Sequence, residues 1–322
     1  MKILFTGVSS FTGFHFVNQL AQNKQFEIHA ILSNKIDDYT GLKKQRISLI
    51  NSNVIIHENI QFGDDTFLEL VKKSSINFDA LCCHGAFVEN YNSPEFDICK
   101  ALSLNARNIS QVLRYFKEGG GKILVHTGSI FEPNEGVCDQ NANAFNPYGL
   151  SKHFTNQLLE YHSYRYDLSF GKFVIPNPFG KHEEPRFTNY LFNCWFKNET
   201  PLVKTPKYIR DNIPIDLLAV SYVDFVKKIM STHQINEISQ NHKINPSGYV
   251  ESQGQFTERI VKRLNVKYNM QLAVNFHDQV DFDQPISRFN QTNLFELYPG
   301  WNENSFWDDY LDFYMNKEIL VR

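Results

Sequence analysis

The sequence predicts an α/β chain whose main part is a doubly wound, mostly parallel sheet, followed by a smaller C-terminal lobe. Three observations carry that expectation. Short apolar runs of strand length alternate with amphipathic stretches of helix length through the first 180 residues. The first run passes directly into Gly7-Val8-Ser9-Ser10-Phe11-Thr12-Gly13, a glycine turn that opens a helix. Beyond Gly180 the alternation loosens, as when a separate lobe follows a repeating half.

Lys2 to Thr6 reads as a buried strand. In the loop after it, Gly7 permits a tight turn and Gly13 lets helix and strand pack closely. A pyrophosphate can then rest on the amides of the helix carrying Phe16, Val17 and Leu20. Ser9, Ser10, Phe11 and Thr12 complete this candidate cofactor loop, with Ser10 standing where a middle glycine is usual and offering a hydroxyl. The second strand, Glu27 to Leu32, ends in Ser33-Asn34-Lys35 rather than in an acid. An acid there would bind the adenosine ribose 2′-hydroxyl of NAD, whereas small polar and basic groups accept the 2′-phosphate of NADP. NADP is therefore the favoured cofactor and NAD the second choice, with Asp37 and Asp38 blunting Lys35.

Val54 to His57 forms a third strand, after which Asn59 and Ile60 are placed to meet an adenine. Thr66 to Ser74 reads as a helix, and Ala80 to Cys83 as a fourth strand ending in His84-Gly85-Ala86. There Gly85 and Ala86 let a cofactor approach the backbone, and His84 is read as packing beside it rather than as catalytic. A single long helix is expected from Pro94 to Phe116, with Ile109, Val112, Leu113 and Phe116 inward and Asn105 and Asn108 along it. Gly119-Gly120-Gly121 stops it, and Lys122 to Val125 is a fifth strand delivering His126-Thr127-Gly128-Ser129.

The next helix, Pro147 to Tyr166, begins with Tyr148 and Lys152, four apart and so on one face. A lysine charge beside a phenol favours the phenolate and lowers a pKa of ~10 toward neutrality. In a parallel sheet, ligands sit at the carboxyl ends of the strands, where Ser129 would join this pair. Serine can hold a substrate oxygen, tyrosine can pass it a proton, and lysine can tune the tyrosine while gripping the nicotinamide ribose.

Composition bounds the rest. The 322 residues are 42% hydrophobic and 21% charged, with a net charge of -3 and no basic block, which argues against a nucleic-acid surface. Five cysteines without a CxxC pair suit a reduced, cytoplasmic setting. The apolar start, Ile3 to Phe5, is too short for a signal segment, and neither a targeting segment nor a transmembrane span is expected. No metal site is expected, since histidines and acids lack ligand spacing. The 28 Phe and 15 Tyr have no functional reading.

The ordered set Gly7 to Gly13, Asn105, Ser129, Tyr148, Lys152, Asn177 and Arg210 resembles the extended short-chain dehydrogenase/reductase family. The most specific parts are Tyr148-Gly149-Leu150-Ser151-Lys152, the phrase Phe173-Val174-Ile175-Pro176-Asn177-Pro178-Phe179-Gly180, and Arg210-Asp211-Asn212-Ile213-Pro214-Ile215-Asp216. The resemblance implies a Rossmann-type cofactor domain over 1–180, rejoined in part by 206–246, and a substrate lobe of 181–205 and 247–322. It implies a nucleotide-activated sugar as substrate, with Asn177 and Arg210 on its diphosphate and Arg186 and Phe187 reaching phosphate and base. Polysaccharide synthesis is the setting it suggests, and a homodimer through the two long helices its expected assembly.

Family members that dehydrate a hexose carry an acid in the two positions after the catalytic serine or threonine, here Ile130 and Phe131. Glu132 comes one step later, and along an extended segment it would point away from Phe131, which disfavours a dehydratase unless the chain kinks locally. Epimerases acting beside a ketone need a second acid/base, often a cysteine near where Phe131 stands; His126 and His182 are read as structural. Two reactions need only Ser129, Tyr148 and Lys152. One is reduction of a keto-sugar nucleotide, favoured by the missing acid after strand two. The other is 4-epimerisation on tightly held NAD. A 4,6-dehydratase and a non-catalytic cofactor-sensing scaffold stand behind these.

Overall fold

The computed structural model describes residues 1–72, 76–234 and 242–319, and the chain forms two compact units. The first contains Met1–Glu135, Ala142–Ile175 and Ala219–Asn245; the second contains Gly136–Asn141, Pro176–Leu218 and Pro246–Arg322. No helix among the described residues is long and apolar enough to cross a membrane.

The first unit is built on β1 (Lys2–Thr6), β2 (Glu27–Ile31), β3 (Ile55–His57), β4 (Ala80–Cys83) and β5 (Ile123–Ser129), with two further strands, Ser169–Ile175 and His242–Ile244. Their order is His242–Ile244, Ser169–Ile175, β5, β4, β1, β2, β3, and every neighbouring pair is parallel. All four residues of β4, and Ile3, Leu4 and Phe5 of β1, are buried. That continuous apolar burial is what a parallel sheet covered on both faces requires.

Helices α1 (Phe11–Ala21), α2 (Gly41–Ser48), α3 (Asp65–Lys72), α4 (Ile98–Asn105), α5 (Ile109–Glu118) and α6 (Pro147–Arg165) belong to this unit. The helix expected over Thr66 to Ser74 is described only as far as Lys72, and its end lies outside the described residues. The single helix expected from Pro94 to Phe116 is two helices. Asn108 adopts a left-handed φ of 49° and donates its Nδ2 to the Gly63 carbonyl at 2.9 Å. Gly63 packs closely against this break, since a Cβ on it would lie 1.9 Å from the Arg107 carbonyl oxygen. β5 runs four residues beyond the expected Val125, so that Ser129 is its last residue.

In the second unit, Ile209–Pro214 pairs in parallel with Asn177–Phe179 and antiparallel with Tyr249–Ser252. The helix that follows begins at Gln253, after the strand, where Ser252 and Gln255 form a reciprocal capping box. The aromatic richness of the sequence finds its place here. Phe179, Phe192, Phe256, Trp307, Tyr310 and Tyr314 are buried together, with Phe192 stacked on Tyr314 at 4.0 Å. Tyr310 and Tyr314 each donate to Glu183 Oε1 at 2.7 Å, so their polar ends are satisfied inside that core.

Candidate active site

The glycine loop turns at Gly7, whose φ is +79°, and a Cβ on it would sit 2.6 Å from the Gly85 Cα. A Cβ on Gly13 would lie 2.3 Å from the Gly7 carbonyl oxygen. Both glycines are thus required by close backbone approach. Ser10 uses its hydroxyl within the loop, donating to the Gly7 carbonyl at 2.8 Å and accepting the Gly13 amide at 3.1 Å as the N-cap of α1. Both of these bonds lie within the loop itself. The amides of Phe11 and Thr12, which a first helical turn leaves without intrahelical partners, remain to meet an anion.

Behind the loop, His84 is buried and joins three segments. Its Nε2 lies 3.1 Å from Ser10 Oγ and 2.9 Å from Thr12 Oγ1, and its Nδ1 lies 3.0 Å from Thr127 Oγ1. Burial, aided by the Lys152 charge, pushes its pKa down to about 3, so the ring is neutral and serves as a brace. Arg46 of α2, fully buried, donates to the Ser9 carbonyl at 3.3 Å and lies over the Phe11 ring. No local motif marked Arg46, which the sequence reading missed.

Around the end of β2, Ser33, Asn34 and Lys35 are exposed, and Tyr39 folds back on them: its hydroxyl is 3.2 Å from Ser33 Oγ and accepts the Asn34 amide. Asn59 and Ile60 are laddered to this segment, their amides reaching the carbonyls of Asn34 and Leu32. Glu58, from the end of β3, accepts the Ile36 amide at 2.6 Å. An acid therefore stands at this rim after all, supplied by the neighbouring strand. A signal existed in its position at a strand's carboxyl end beside β2, but only the sheet order makes it count. Asn105 accepts the Phe87 amide at 2.8 Å, while its Nδ2 is buried without a hydrogen-bond partner. A loop with no room for side chains, free helix amides and an orphaned buried donor fit a dinucleotide along this edge.

Tyr148 and Lys152 occupy the first two turns of α6, which Asn146 caps by accepting the Gly149 amide at 2.9 Å, with Pro147 following. The helix start is fastened to the segment after Ser129. The Phe131 carbonyl accepts the Phe145 amide at 2.9 Å, and a Cβ on Gly149 would lie 2.0 Å from that same oxygen. Ser129 Oγ accepts the Phe131 amide at 3.2 Å, which leaves its O–H free in direction to donate. The Tyr148 ring is half-buried and edge-on to Tyr91 and Phe96. Lys152 is 3% exposed, and burial pushes its pKa down to about 8, opposed by Glu132 and assisted by Lys172.

Glu132 does not continue an extended segment. Its amide bonds back to the Ser129 carbonyl at 3.0 Å, a turn that carries the side chain inside, where it is fully buried. Its Oε1 accepts the Ser129 amide at 2.8 Å and its Oε2 meets Lys172 Nζ at 2.6 Å. His126 is buried, and burial with the charges of Lys152 and Lys172 holds its pKa well below the usual histidine value.

Asn177, Arg186, Phe187 and Arg210 all belong to the second unit. Asn177 pairs with Asn212 between strands, and Arg186 is exposed just before the helix that Phe187 opens. Arg210 lies over the Tyr208 ring at 4.5 Å and donates to the carbonyls of Ile209, Pro285 and Ile286 and to Gln284 Oε1. These bonds hold the guanidinium in one orientation.

Residues 3–211 match the model of the NAD dependent epimerase/dehydratase family. Over 244 residues the chain is 21% identical to a putative UDP-glucose 4-epimerase of Methanocaldococcus jannaschii, spanning 70% of this chain and 76% of that one. Among solved structures, a UDP-glucose 4-epimerase from Stenotrophomonas maltophila with bound NAD and formylated UDP-arabinopyranose is similar with a TM-score of 0.73 and 15% identity, covering 100% of this chain and 98% of that one. A UDP-glucuronic acid 4-epimerase from Bacillus cereus in complex with UDP-glucuronic acid and NAD gives a TM-score of 0.69 at 17% identity, covering 98% and 99%. At such identities the two structures establish a shared fold.

Proposed function

The chain belongs to the NAD dependent epimerase/dehydratase family, and from that premise we propose that it is a nucleotide-sugar 4-epimerase working on NAD through Ser129, Tyr148 and Lys152. The observation that carries this reading over the keto-sugar reductase is Glu58. Its carboxylate, 2.6 Å from the Ile36 amide, favours a ribose hydroxyl and disfavours the 2′-phosphate of NADP. The preference for NADP drawn from the missing acid after β2 is set aside on that ground, and the NAD held by the Stenotrophomonas and Bacillus 4-epimerases supports the same choice. Dehydration is disfavoured because the carboxylate nearest Ser129 is bound to Lys172 and to the Ser129 amide.

Bound NAD supplies reversible hydride exchange at the sugar carbon. Tyr148 takes the proton of the C4 hydroxyl and returns it, and Ser129 donates its O–H to the same oxygen. Lys152, charged below about pH 8, keeps the phenol acidic enough for that exchange. Asn177 and Arg210 are assigned to the diphosphate, and Arg186 and Phe187 to the outer phosphate and base. We also assign a homodimer to the outer face of α6, where Phe154, Leu158 and Tyr161 are 42%, 38% and 61% exposed at spacings that form one stripe.

Mass spectrometry of the dinucleotide carried by the purified protein tests the reading, followed by NMR of UDP-hexoses and UDP-hexuronic acids incubated without added cofactor. Retained NAD and inversion at C4 are expected. An empty site that prefers NADPH and oxidises it with keto-sugar nucleotides would return the reductase.

A further inference from the structure

The first unit contains a buried charge network that the reaction above does not use. Lys172 Nζ lies 2.6 Å from Glu132 Oε2 and 2.8 Å from Glu135 Oε1, and Glu135 Oε2 in turn receives Lys243 at 2.8 Å and Asn245 at 2.9 Å. Lys172, Glu132 and Glu135 are all at least nine-tenths buried. Assembling such charges costs several kcal/mol per ion in desolvation, so the network is weak evidence for stability and asks for another account.

Its geometry supplies one. The network reaches the active site where Glu132 Oε1 accepts the Ser129 amide at 2.8 Å. Gly128 leaves room for this pair, since a Cβ there would lie 2.6 Å from Lys172 Cε and 2.8 Å from Glu132 Oε1, and the ends of those side chains would have to shift. The turn from Ser129 to Glu132 is thus fixed from beneath by the carboxylate, and that carboxylate is fixed by Lys172 from the neighbouring strand.

The same carboxylate faces Lys152 electrostatically. Besides Tyr148 on its own helix, the charged and titratable groups acting on Lys152 include Cys83 at the end of β4, His84 just after it, His126 of β5, Glu132 beyond β5, and Lys172 of the Ser169–Ile175 strand. Among them Glu132 has the largest effect favouring the ammonium, and Lys172 opposes it. We infer that Glu132 is a positioning residue of this site: clamped by Lys172, it sets the turn that presents Ser129 and supplies the counter-charge for Lys152. The inference rests on the roles given to Ser129 and Lys152 above.

The test compares wild type, Glu132→Gln and the double variant Glu132→Gln/Lys172→Met, each with its lysines 13Cε-labelled and the Lys152 signal assigned by its loss in Lys152→Arg. The titration midpoint of Lys152 is expected to fall by roughly half a pH unit or more in Glu132→Gln, and by less in the double variant, where the opposing Lys172 charge is also gone. The alkaline limb of kcat is expected to move down with it, while kcat drops about tenfold and KM changes less than about threefold. Should the single variant fail to fold, the double variant, which buries no unpaired charge in this pair, carries the same readouts. An unmoved midpoint in the variants, or a fall in kcat with the limb in place, overturns the inference. The NMR titration needs no turnover, so a wild type inactive on every nucleotide sugar would defeat the proposed function while the Lys152 midpoint still decides this point.

Discussion

Replacing Gly149 by alanine places a methyl group against the joint on which the catalytic arrangement depends. Its Cβ would lie 2.0 Å from the Phe131 carbonyl oxygen, 2.6 Å from the carbonyl carbon and 3.0 Å from the Phe131 Cβ. Two of these neighbours are backbone atoms, so no rotamer change relieves the overlap. Relief requires the start of α6 and the segment after Ser129 to part by about 1 Å, with overpacking of this kind costing ~1–3 kcal/mol. The Phe145 amide bond to the same carbonyl, 2.9 Å long, would be strained or lost, adding ~0.5–1.5 kcal/mol. Urea unfolding should therefore show Gly149→Ala destabilised by about 2–4 kcal/mol. Because Tyr148 precedes the glycine, a shift of about 1 Å should also lower kcat by about 100-fold in C4-inversion assays, with the NAD content unchanged. Gly300→Ala, whose Cβ meets nothing within 4 Å, serves as the control and should leave both quantities unaltered. A Gly149→Ala protein within about 0.5 kcal/mol of wild type and within about twofold in kcat would refute the account of this joint.

Two further outcomes follow from the same structure. Tyr148→Phe should abolish C4 inversion while the purified protein still carries NAD, and loss of NAD along with turnover would mean that the phenol serves binding rather than proton exchange. In the second unit, burial raises the pKa of Asp211 from 3.8 to about 6, despite the amides of Gly248 and Asn290 that it accepts. A raised carboxyl pKa means that the folded state binds more protons than the unfolded state between about pH 4 and 6. Stability from Asp211 is therefore present near pH 4 and lost as pH rises through about 6, a change of about 3 kcal/mol. The unfolding free energy of wild type relative to Asp211→Asn should fall by that order between pH 4 and 7, and a constant difference would contradict the assignment.

Much of the first unit was legible because its determinants are local. Strand-length apolar runs, the loop from Gly7 to Gly13 and the Pro147 start of α6 each carry their own signal, and each lies where the sequence puts it. What escaped depends on partners far apart in the chain. The break between α4 and α5 is made by Gly63 and Asn108, 45 residues apart. The acid at the dinucleotide rim comes from β3 because β2 and β3 are neighbours, although β2 itself ends without one. The strand before Gln253 is a pairing of Tyr249–Ser252 with Ile209–Pro214, which no run of apolar residues announces. Ser10, read as offering a hydroxyl within the cofactor loop, is also the cap of α1, a use that a serine at a helix start allows.

Glu132 shows most clearly why chemistry at this sheet edge cannot be assigned from spacing. Three residues past Ser129, it invites reading as the acid of a dehydration, or as a bystander if the segment runs straight. Neither describes it, because the chain turns after Ser129 and Lys172, 40 residues further on, takes the carboxylate at 2.6 Å. With that cation and the Ser129 amide as its partners, the carboxylate is hydrogen-bonded on both oxygens and out of the solvent, committed to groups within the protein. Its charge also favours the ammonium of Lys152, the lysine to which the tuning of Tyr148 is assigned above. The identity of residue 172 thus bears on whether Glu132 is open to a substrate, and here Lys172 occupies it, in keeping with the C4 exchange proposed above.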